Sequence, residues 1–296
     1  MISPEATRIR AAWFPSRTVP DYSVTELREH EFMARKHDLL PAGVGVRSNR
    51  IAGFECEWIN EDAGQSTRTI LYLHGGGYVS GGCATHRNLV SRLARAAGAR
   101  ALVPEYRLAP ESPFPAAVQD ASDIYEALLS DEVGPSGLAI MGDSSGGGLC
   151  AALMLLLRDQ GRPLPAAGVL ISPWTDLTLS GKSYLTRADL DPLDRWPVVH
   201  RLANLYVPSG ALTAPLASPM FGDLRGFPPL FIQVGDHEVL LDDSLSFASK
   251  AQASDVDVEL DVWPEMWHDW QMAAPAMPEA NEAIDRIGCY VRQRVP

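Results

Sequence analysis

Residues 138–149 read Leu-Ala-Ile-Met-Gly-Asp-Ser-Ser-Gly-Gly-Gly-Leu, and this segment predicts a strand, a sharp turn and a helix. The apolar run 138–141 predicts a short buried strand, and residues 149–157, rich in Ala, Leu and Met, predict a helix. Ser144 stands at the apex of the turn between them, where a Cβ atom at position 142 or 146 would clash. This is the setting of the G-x-S-x-G nucleophile elbow. A Gly/Ser loop that merely joins two elements can have the same five-residue pattern. The rest of the chain must therefore distinguish a nucleophile elbow from a connecting loop.

Strands alternate with helices on both sides of this segment, which predicts an α/β fold with a mainly parallel sheet covered by helices on both faces. The predicted strands are residues 50–59, 69–73, 100–104, 138–141, 166–171, 229–234 and 256–263. The predicted helices are residues 86–97, 116–130, 149–157, 243–253 and 279–294. The last strand and the final helix are expected at an edge of the sheet, where a second copy could pair.

Three regions depart from this alternation. Residues 1–22 have no regular pattern, and residues 24–40 predict an amphipathic helix with Leu27, Phe32, Met33 and Leu39 on one side. The polar residues 60–68 predict a hairpin turn between the strands 50–59 and 69–73. Residues 174–228 contain six prolines and no clear strand, as expected of an insertion over a binding pocket. Ordinary surface helices remain the alternative for this insertion.

The expected organisation is one structural domain with a cap. Residues 46–173 and 220–296 are assigned to a catalytic core, and residues 174–219, together with the N-terminal residues 1–45, are assigned to the cap. The chain has 296 residues and a hydrophobic fraction of 46%, enough for one large domain with a substantial core.

Composition argues against several classes of function. The formal net charge of −12 argues against an extended nucleic-acid surface, and no apolar run reaches the ~18 residues of a membrane span. The first 20 residues lack the apolar core of a secretory signal. The four cysteines (Cys56, Cys83, Cys150 and Cys289) form no C-x-x-C pair, which favours reduced thiols in a cytoplasmic protein. Zinc spacing, G-x-G-x-x-G and a Walker loop are absent, so we expect no metal or cofactor.

A second glycine-rich segment, His74-Gly75-Gly76-Gly77, directly follows the apolar strand 69–73. Three glycines allow a ligand to approach backbone N–H groups closely, as an oxyanion hole requires. The predicted donors are the amides of Gly76, Gly77 and Ser145, the last being the residue after the nucleophile. A flexible loop or a phosphate cradle is the alternative, but a cradle would open a helix and usually include a lysine. His74 itself is expected to fix the loop by a hydrogen bond.

A serine nucleophile needs a histidine base, and the base needs a carboxylate that orients it. His268 is the last histidine in the chain and lies in a loop between the last strand and the final helix, where the order Ser, acid, His places the base. The other six histidines are His30, His37, His74, His86, His200 and His237.

The acid is expected after the strand 229–234, where four carboxylates compete. Asp242 and Asp243 are interpreted as caps of the following helix. Asp236 and Glu238 then remain as candidates, and aspartate is the commoner acid in such triads.

Four motifs in register give the chain a specific family resemblance. They are His-Gly-Gly-Gly at 74–77, Tyr-Arg-Leu-Ala-Pro-Glu at 106–111, Gly-Asp-Ser-Ser-Gly-Gly at 142–147 and Ser-Pro-Trp-Thr-Asp-Leu at 172–177. Together they resemble the bacterial hormone-sensitive-lipase family of α/β-hydrolase esterases, and the match spans nearly the whole chain. The family's usual acid motif is Asp-Pro-Leu, whereas Glu238-Val239-Leu240 stands here, so the resemblance favours Glu238 over Asp236.

The resemblance implies an α/β-hydrolase fold and a serine carboxylesterase for esters with short or medium acyl chains. It implies that Tyr106, Arg107 and Glu111 are framework residues, that Asp143 fixes the elbow, and that the protein could form a homodimer. A lactone hydrolase, an acetyl-ester deacetylase or an amidase would use the same groups. A ligand receptor on the same scaffold would lack the catalytic histidine, whereas His268 is present here.

Overall fold

The computed structural model describes residues 2–13, 22–35, 38–60, 67–130, 133–191 and 196–296. These residues contain an eight-stranded sheet in the order β1-β2-β4-β3-β5-β6-β7-β8. Pairing is antiparallel between β1 and β2 and between β2 and β4, and parallel from β4 to β8. The strands are β1 (Val46–Ile51), β2 (Phe54–Ile59), β3 (Thr69–Leu73), β4 (Arg100–Pro104), β5 (Leu138–Asp143), β6 (Ala167–Ile171), β7 (Leu230–Gly235) and β8 (Val258–Trp263). The predicted α/β-hydrolase architecture is confirmed.

Helices cover both faces of the sheet. Those in the described residues are α1 (Pro4–Trp13), α2 (Val24–Arg35), α3 (Cys83–Ala97), α4 (Ala116–Ser130), α5 (Ser144–Asp159), α6 (Ser183–Thr186), α7 (Trp196–Tyr206), α8 (Leu241–Gln252) and α9 (Pro278–Arg294). Helices α3 and α9 bury one face, and α4, α5 and α8 bury the other. Side chains of β3 alternate between the two faces of the sheet. Leu71 and Leu73 pack under α5, whereas Ile70 and Tyr72 face α3. Central strands buried on both sides explain their continuous apolar runs.

The predicted hairpin between residues 50–59 and 69–73 is wrong. The hairpin lies earlier, between β1 and β2, and turns at Ala52 and Gly53 with φ of 51° and 90°. Two positive φ values suit a two-residue hairpin loop that follows the strand twist. Strand β2 pairs next with β4, and β3 lies between β4 and β5. Residues 61–66 of the predicted turn lie outside the described residues.

The N-terminal region also differs from prediction. Residues 4–13, expected to be irregular, form α1, which is attached to α9 because Ser3 donates its N–H and O–H to Glu279. Helix α2 ends at Arg35 instead of residue 40, and the expected apolar side is not buried: Phe32 is 48% exposed and Met33 is 55% exposed. Polar contacts of Arg28 hold α2 instead.

The insertion 174–219 contains α6, α7 and loops, and its residues 192–195 lie outside the described residues. Among the described residues, no helix is long and apolar enough to cross a membrane. All four cysteines are free thiols, and three of them are buried.

Candidate active site

The turn after β5 has the strained geometry expected of an elbow. Ser144 is the first residue of α5, has a φ of 52° and is 8% exposed. A Cβ atom at Gly142 or Gly146 would overlap the backbone oxygen of Leu73, which explains both glycines. The Ser144 carbonyl accepts the N–H of Trp174 at 2.9 Å. Glycine is therefore needed on both sides of the serine because β3 packs against the turn.

The glycine loop lies against the elbow. The N–H of Gly75 donates to Asp143 Oδ1 at 3.1 Å, and the N–H of Tyr78 donates to Ser145 Oγ at 3.2 Å. Gly76 and Gly77 have φ of 114° and 62°, values that few other residues adopt. These contacts bring the three predicted oxyanion donors (the amides of Gly76, Gly77 and Ser145) into one region with Ser144.

His74 and Tyr106 support this loop from behind. The rings stack at 4.1 Å between centroids, Tyr106 Oη donates to the His74 carbonyl at 2.6 Å, and His74 Nδ1 lies 2.8 Å from the Gly75 carbonyl. Burial lowers the pKa of His74 to about 3, so the ring is neutral and Nδ1 donates. His74 is thus a loop-fixing residue, as the sequence predicted.

Asp143 is the centre of a buried polar network beneath the elbow. Its Oδ1 accepts the Tyr72 hydroxyl at 2.6 Å, and its Oδ2 lies 3.2 Å from His86 Nε2. Burial alone would raise the pKa of Asp143, but the charge and hydrogen bond of His86 lower it to about 2. Burial alone would lower the pKa of His86, but the charge of Asp143 outweighs burial and raises this pKa. The pair is therefore ionic below the raised His86 pKa and joins α3 to the elbow.

His268 and Glu238 meet where the loops after β7 and β8 converge. His268 Nδ1 lies 3.1 Å from Glu238 Oε2, and both side chains are almost fully buried. The other oxygen, Oε1, accepts the Ser172 hydroxyl and the Gly235 N–H, each at 2.7 Å. The Ser172 hydroxyl and the Gly235 N–H therefore hold the carboxylate, and its other oxygen orients the imidazole.

The other carboxylates of this loop serve different purposes. Asp236 accepts the N–H of Glu265 at 2.6 Å and holds the loop after β8. Asp242 and Asp243 do not cap α8, so that prediction is wrong: Asp242 accepts the N–H of Ser183 at 3.0 Å. Asp243 accepts the amides of residues 175 and 176 at 2.9 and 2.8 Å, and burial raises its pKa to about 8. Both side chains tie the insertion to the first turn of α8.

Two residues near the imidazole were not singled out from the sequence. Ser172 opens the Ser-Pro-Trp-Thr-Asp-Leu motif, and that motif was the available signal. Asp269 directly follows His268, and its Oδ2 lies 3.1 Å from His268 Nε2. No sequence pattern predicted this contact.

The remaining candidates lie elsewhere. His30 stacks on Tyr22, His200 is exposed on α7, and His237 Nε2 lies 3.7 Å from Asp236. His37 lies outside the described residues. Among the residues that the structure describes, no group of three or more His, Cys, Asp or Glu side chains is arranged to hold a metal ion.

The framework residues make long-range contacts. Arg107 donates from Nε to Asp120 Oδ1 at 2.9 Å. Arg28 of α2 donates to both Glu111 oxygens at 2.8 and 2.9 Å and to the carbonyls of Val79 and Ala109. The Tyr-Arg-Leu-Ala-Pro-Glu motif therefore links the glycine loop to α2.

Comparison with known proteins points to one family. Residues 70–272 match the α/β-hydrolase fold family. An acetyl-hydrolase of Streptomyces hygroscopicus is 46% identical over 80% of this chain and 79% of its own length. An esterase of Acinetobacter venetianus is 37% identical over 82% and 80% of the two chains. The crystal structure of an esterase from the bacterial hormone-sensitive lipase family has 42% identity, covers 100% of both chains and superposes with a TM-score of 0.96.

The chain belongs to the bacterial hormone-sensitive-lipase family of the α/β-hydrolase fold. It is a carboxylic ester hydrolase, and its substrates are small-molecule esters.

Proposed function

We propose that this enzyme hydrolyses carboxylic esters with short to medium acyl chains through a Ser144-His268-Glu238 triad and an acyl-enzyme intermediate. The observation that supports the triad best is the 3.1 Å contact between His268 Nδ1 and Glu238 Oε2. A carboxylate at Nδ1 selects the tautomer whose Nε2 carries the lone pair that accepts a proton.

In the first half of the reaction, Ser144 Oγ attacks the ester carbonyl and transfers its proton to His268 Nε2. Glu238 stabilises the imidazolium that forms, and the amides of Gly76, Gly77 and Ser145 donate to the oxyanion. His268 then gives the proton to the leaving alkoxide, the alcohol departs, and the acyl group stays on Ser144. The close packing of the glycine loop on the elbow supports this assignment of donors.

In the second half, water loses a proton to His268 Nε2 while its oxygen attacks the acyl-enzyme. The same amides bind the second oxyanion, and His268 returns the proton to Ser144 as the acid product leaves. Each proton transfer in both halves therefore passes through the same imidazole nitrogen.

We further propose the division of the chain given above, in which the insertion 174–219 and the N-terminal residues 1–45 cover a core of residues 46–173 and 220–296. Support comes from Leu202 of α7: a Cβ atom on Gly77 would lie only 2.5 Å from Leu202 Cδ1. A leucine over an oxyanion donor limits the room for an acyl chain, which supports a short-chain preference.

Replacement of the nucleophile tests this proposal. We expect Ser144→Ala to abolish hydrolysis of p-nitrophenyl acetate and butyrate while circular dichroism and Tm remain those of a folded protein. The wild-type enzyme should lose kcat/KM as the acyl chain lengthens from butyrate to dodecanoate. Full activity in Ser144→Ala would refute the triad, and a preference for the longest chain would refute the assigned substrate class.

A second candidate is hydrolysis of acetyl esters in particular, because the relative at 46% identity is called an acetyl-hydrolase. In that case acetate should exceed butyrate in kcat/KM within the same series.

We also propose a homodimer through the edge strand β8, whose Val262 is 39% exposed, and light scattering would test it. The four free thiols support a reducing compartment such as the cytoplasm.

A further inference from the structure

Two carboxylates contact the imidazole of His268, one at each nitrogen. Glu238 Oε2 lies 3.1 Å from Nδ1, and Asp269 Oδ2 lies 3.1 Å from Nε2. In the proposed reaction Nε2 is the atom that takes the proton of Ser144. Asp269 therefore occupies the nitrogen that the nucleophile must use, whereas Glu238 does not.

The surroundings of Asp269 distinguish it from a structural carboxylate. It is 6% exposed, and its Oδ1 has no hydrogen-bond partner among the described residues. Asp243, by contrast, accepts two backbone amides. Asp269 has a φ of 52°, in the left-handed region that aspartate and asparagine adopt more readily than other residues apart from glycine. Its side-chain contact with His268 is therefore its principal interaction.

The ionisable groups that face Asp269 come from its own loop and from four other elements. They are His268 itself, Glu238 after β7, Asp143 at the end of β5, His86 on α3 and Tyr72 on β3. Burial raises the pKa of Asp269 to about 7, and the negative charges of Asp143 and Glu238 act in the same direction, while His268 opposes them.

We propose that Asp269 is a positioning residue that holds a proton between its Oδ2 and His268 Nε2 in the substrate-free enzyme. While that proton is present, Nε2 cannot accept the proton of Ser144, and the enzyme becomes active as the proton leaves to solvent. This inference rests on the proposed triad, because it assigns Asp269 a role only through His268.

The charge of Asp269 should shift the acid limb of the pH profile upward. An anion within hydrogen-bond distance stabilises the imidazolium, so the base form of His268 appears at higher pH than without that anion. We expect Asp269→Asn to move the acid limb of kcat/KM to lower pH by about one unit, since a close opposite charge typically shifts a pKa by ~1–3 units. Asparagine has nearly the same size as the aspartate that it replaces, and it tolerates the positive φ at position 269.

A measurement independent of hydrolysis separates this inference from the triad itself. We would titrate the His268 ring by NMR in Ser144→Ala and in Ser144→Ala/Asp269→Asn, where the second protein should have a His268 pKa lower by about one unit. Asp159→Asn on the surface of α5 is the matched control for loss of one negative charge and should leave the pKa unchanged. If Asp269→Asn fails to fold, Asp269→Gly replaces it because glycine suits this φ.

Equal His268 pKa values in the two proteins, or a higher value without the Asp269 charge, would overturn the inference and leave the triad untouched. Retained hydrolysis in Ser144→Ala would instead refute the triad, whatever the titration gives.

Discussion

The proposed base and the proposed nucleophile are single side chains that depend on their immediate partners. Glu238 is held by the Ser172 hydroxyl and the Gly235 amide, so it cannot rotate away from His268 without losing two hydrogen bonds. Asp236 has the residue type that is commoner as a triad acid, yet it is bound to the backbone of Glu265. One carboxylate of the loop therefore orients the imidazole and another shapes the loop.

This difference gives a paired prediction. We expect Glu238→Gln to lower kcat by about 10³–10⁴-fold, because an amide can leave the imidazole in the wrong tautomer. Asp236→Asn should lower kcat by less than about tenfold, since it alters only the loop after β8. Steady-state kinetics on p-nitrophenyl butyrate would check both variants. The reverse order of effects would identify Asp236 as the acid.

Helix α2 is attached by polar contacts more than by apolar packing. No residue of α2 is fully buried, yet Arg28 makes hydrogen bonds to two carbonyls and a bidentate pair with Glu111. Glu31 accepts the hydroxyl of Ser80, which also lies within hydrogen-bond distance of the Gly76 carbonyl. Helix α2 is thus coupled to the glycine loop.

We expect Arg28→Ala to release α2 and loosen the loop that carries the proposed oxyanion donors. Amide hydrogen exchange at residues 76–81 should become faster, and KM should rise because the cover over the site is less ordered. Arg28→Lys should recover only some of the protection, since lysine cannot make the bidentate pair. Arg8→Ala on α1, where the side chain is mostly exposed, is the control. Unchanged exchange in Arg28→Ala would show that α2 does not support the loop.

The stability of the whole molecule should depend on the buried pair of His86 and Asp143, which links α3 to the centre of the sheet. The folded pKa of His86 is raised, so its contribution is complete below the unfolded value near ~6.5 and is lost as the pH rises through the raised value. The folded pKa of Asp143 is lowered to about 2, so its contribution is present above the unfolded value near ~3.9 and is lost as the pH falls through about 2.

Removal of the histidine should therefore destabilise the protein most in mildly acidic solution. We expect His86→Asn to lower the free energy of unfolding by about 3–5 kcal/mol at pH 6, the usual effect of breaking a buried ion pair. The loss should become smaller as the pH is raised from 6 to 9, because the contribution of the imidazolium declines as the pH rises toward the raised pKa of His86. Urea denaturation at both pH values measures this, with His200→Asn on the exposed side of α7 as control. An equal loss at both pH values would show that the charge is not involved.

Local sequence determined most of the layered architecture and pointed to the proposed reactive groups. The apolar runs of β3, β5 and β7 are strands buried on both faces, and a run of this kind is visible without knowledge of its partners. The glycines at 142 and 146 are needed by a turn that a few consecutive residues define. Ser144, the glycine loop and His268 could thus be proposed from short motifs and their order.

Tertiary structure alone decided what depends on contacts between distant residues. Strand β2 pairs with β4 rather than with β3, and α1 is attached to α9 through Ser3 and Glu279. Four carboxylates lie close together in the loop after β7, and the fold places Glu238 beside His268 Nδ1. The fold also places Asp269 beside the opposite nitrogen, Nε2. A periodic pattern records which residues are apolar, but strand pairing and side-chain contacts follow from non-local packing free energy, which no single segment contains.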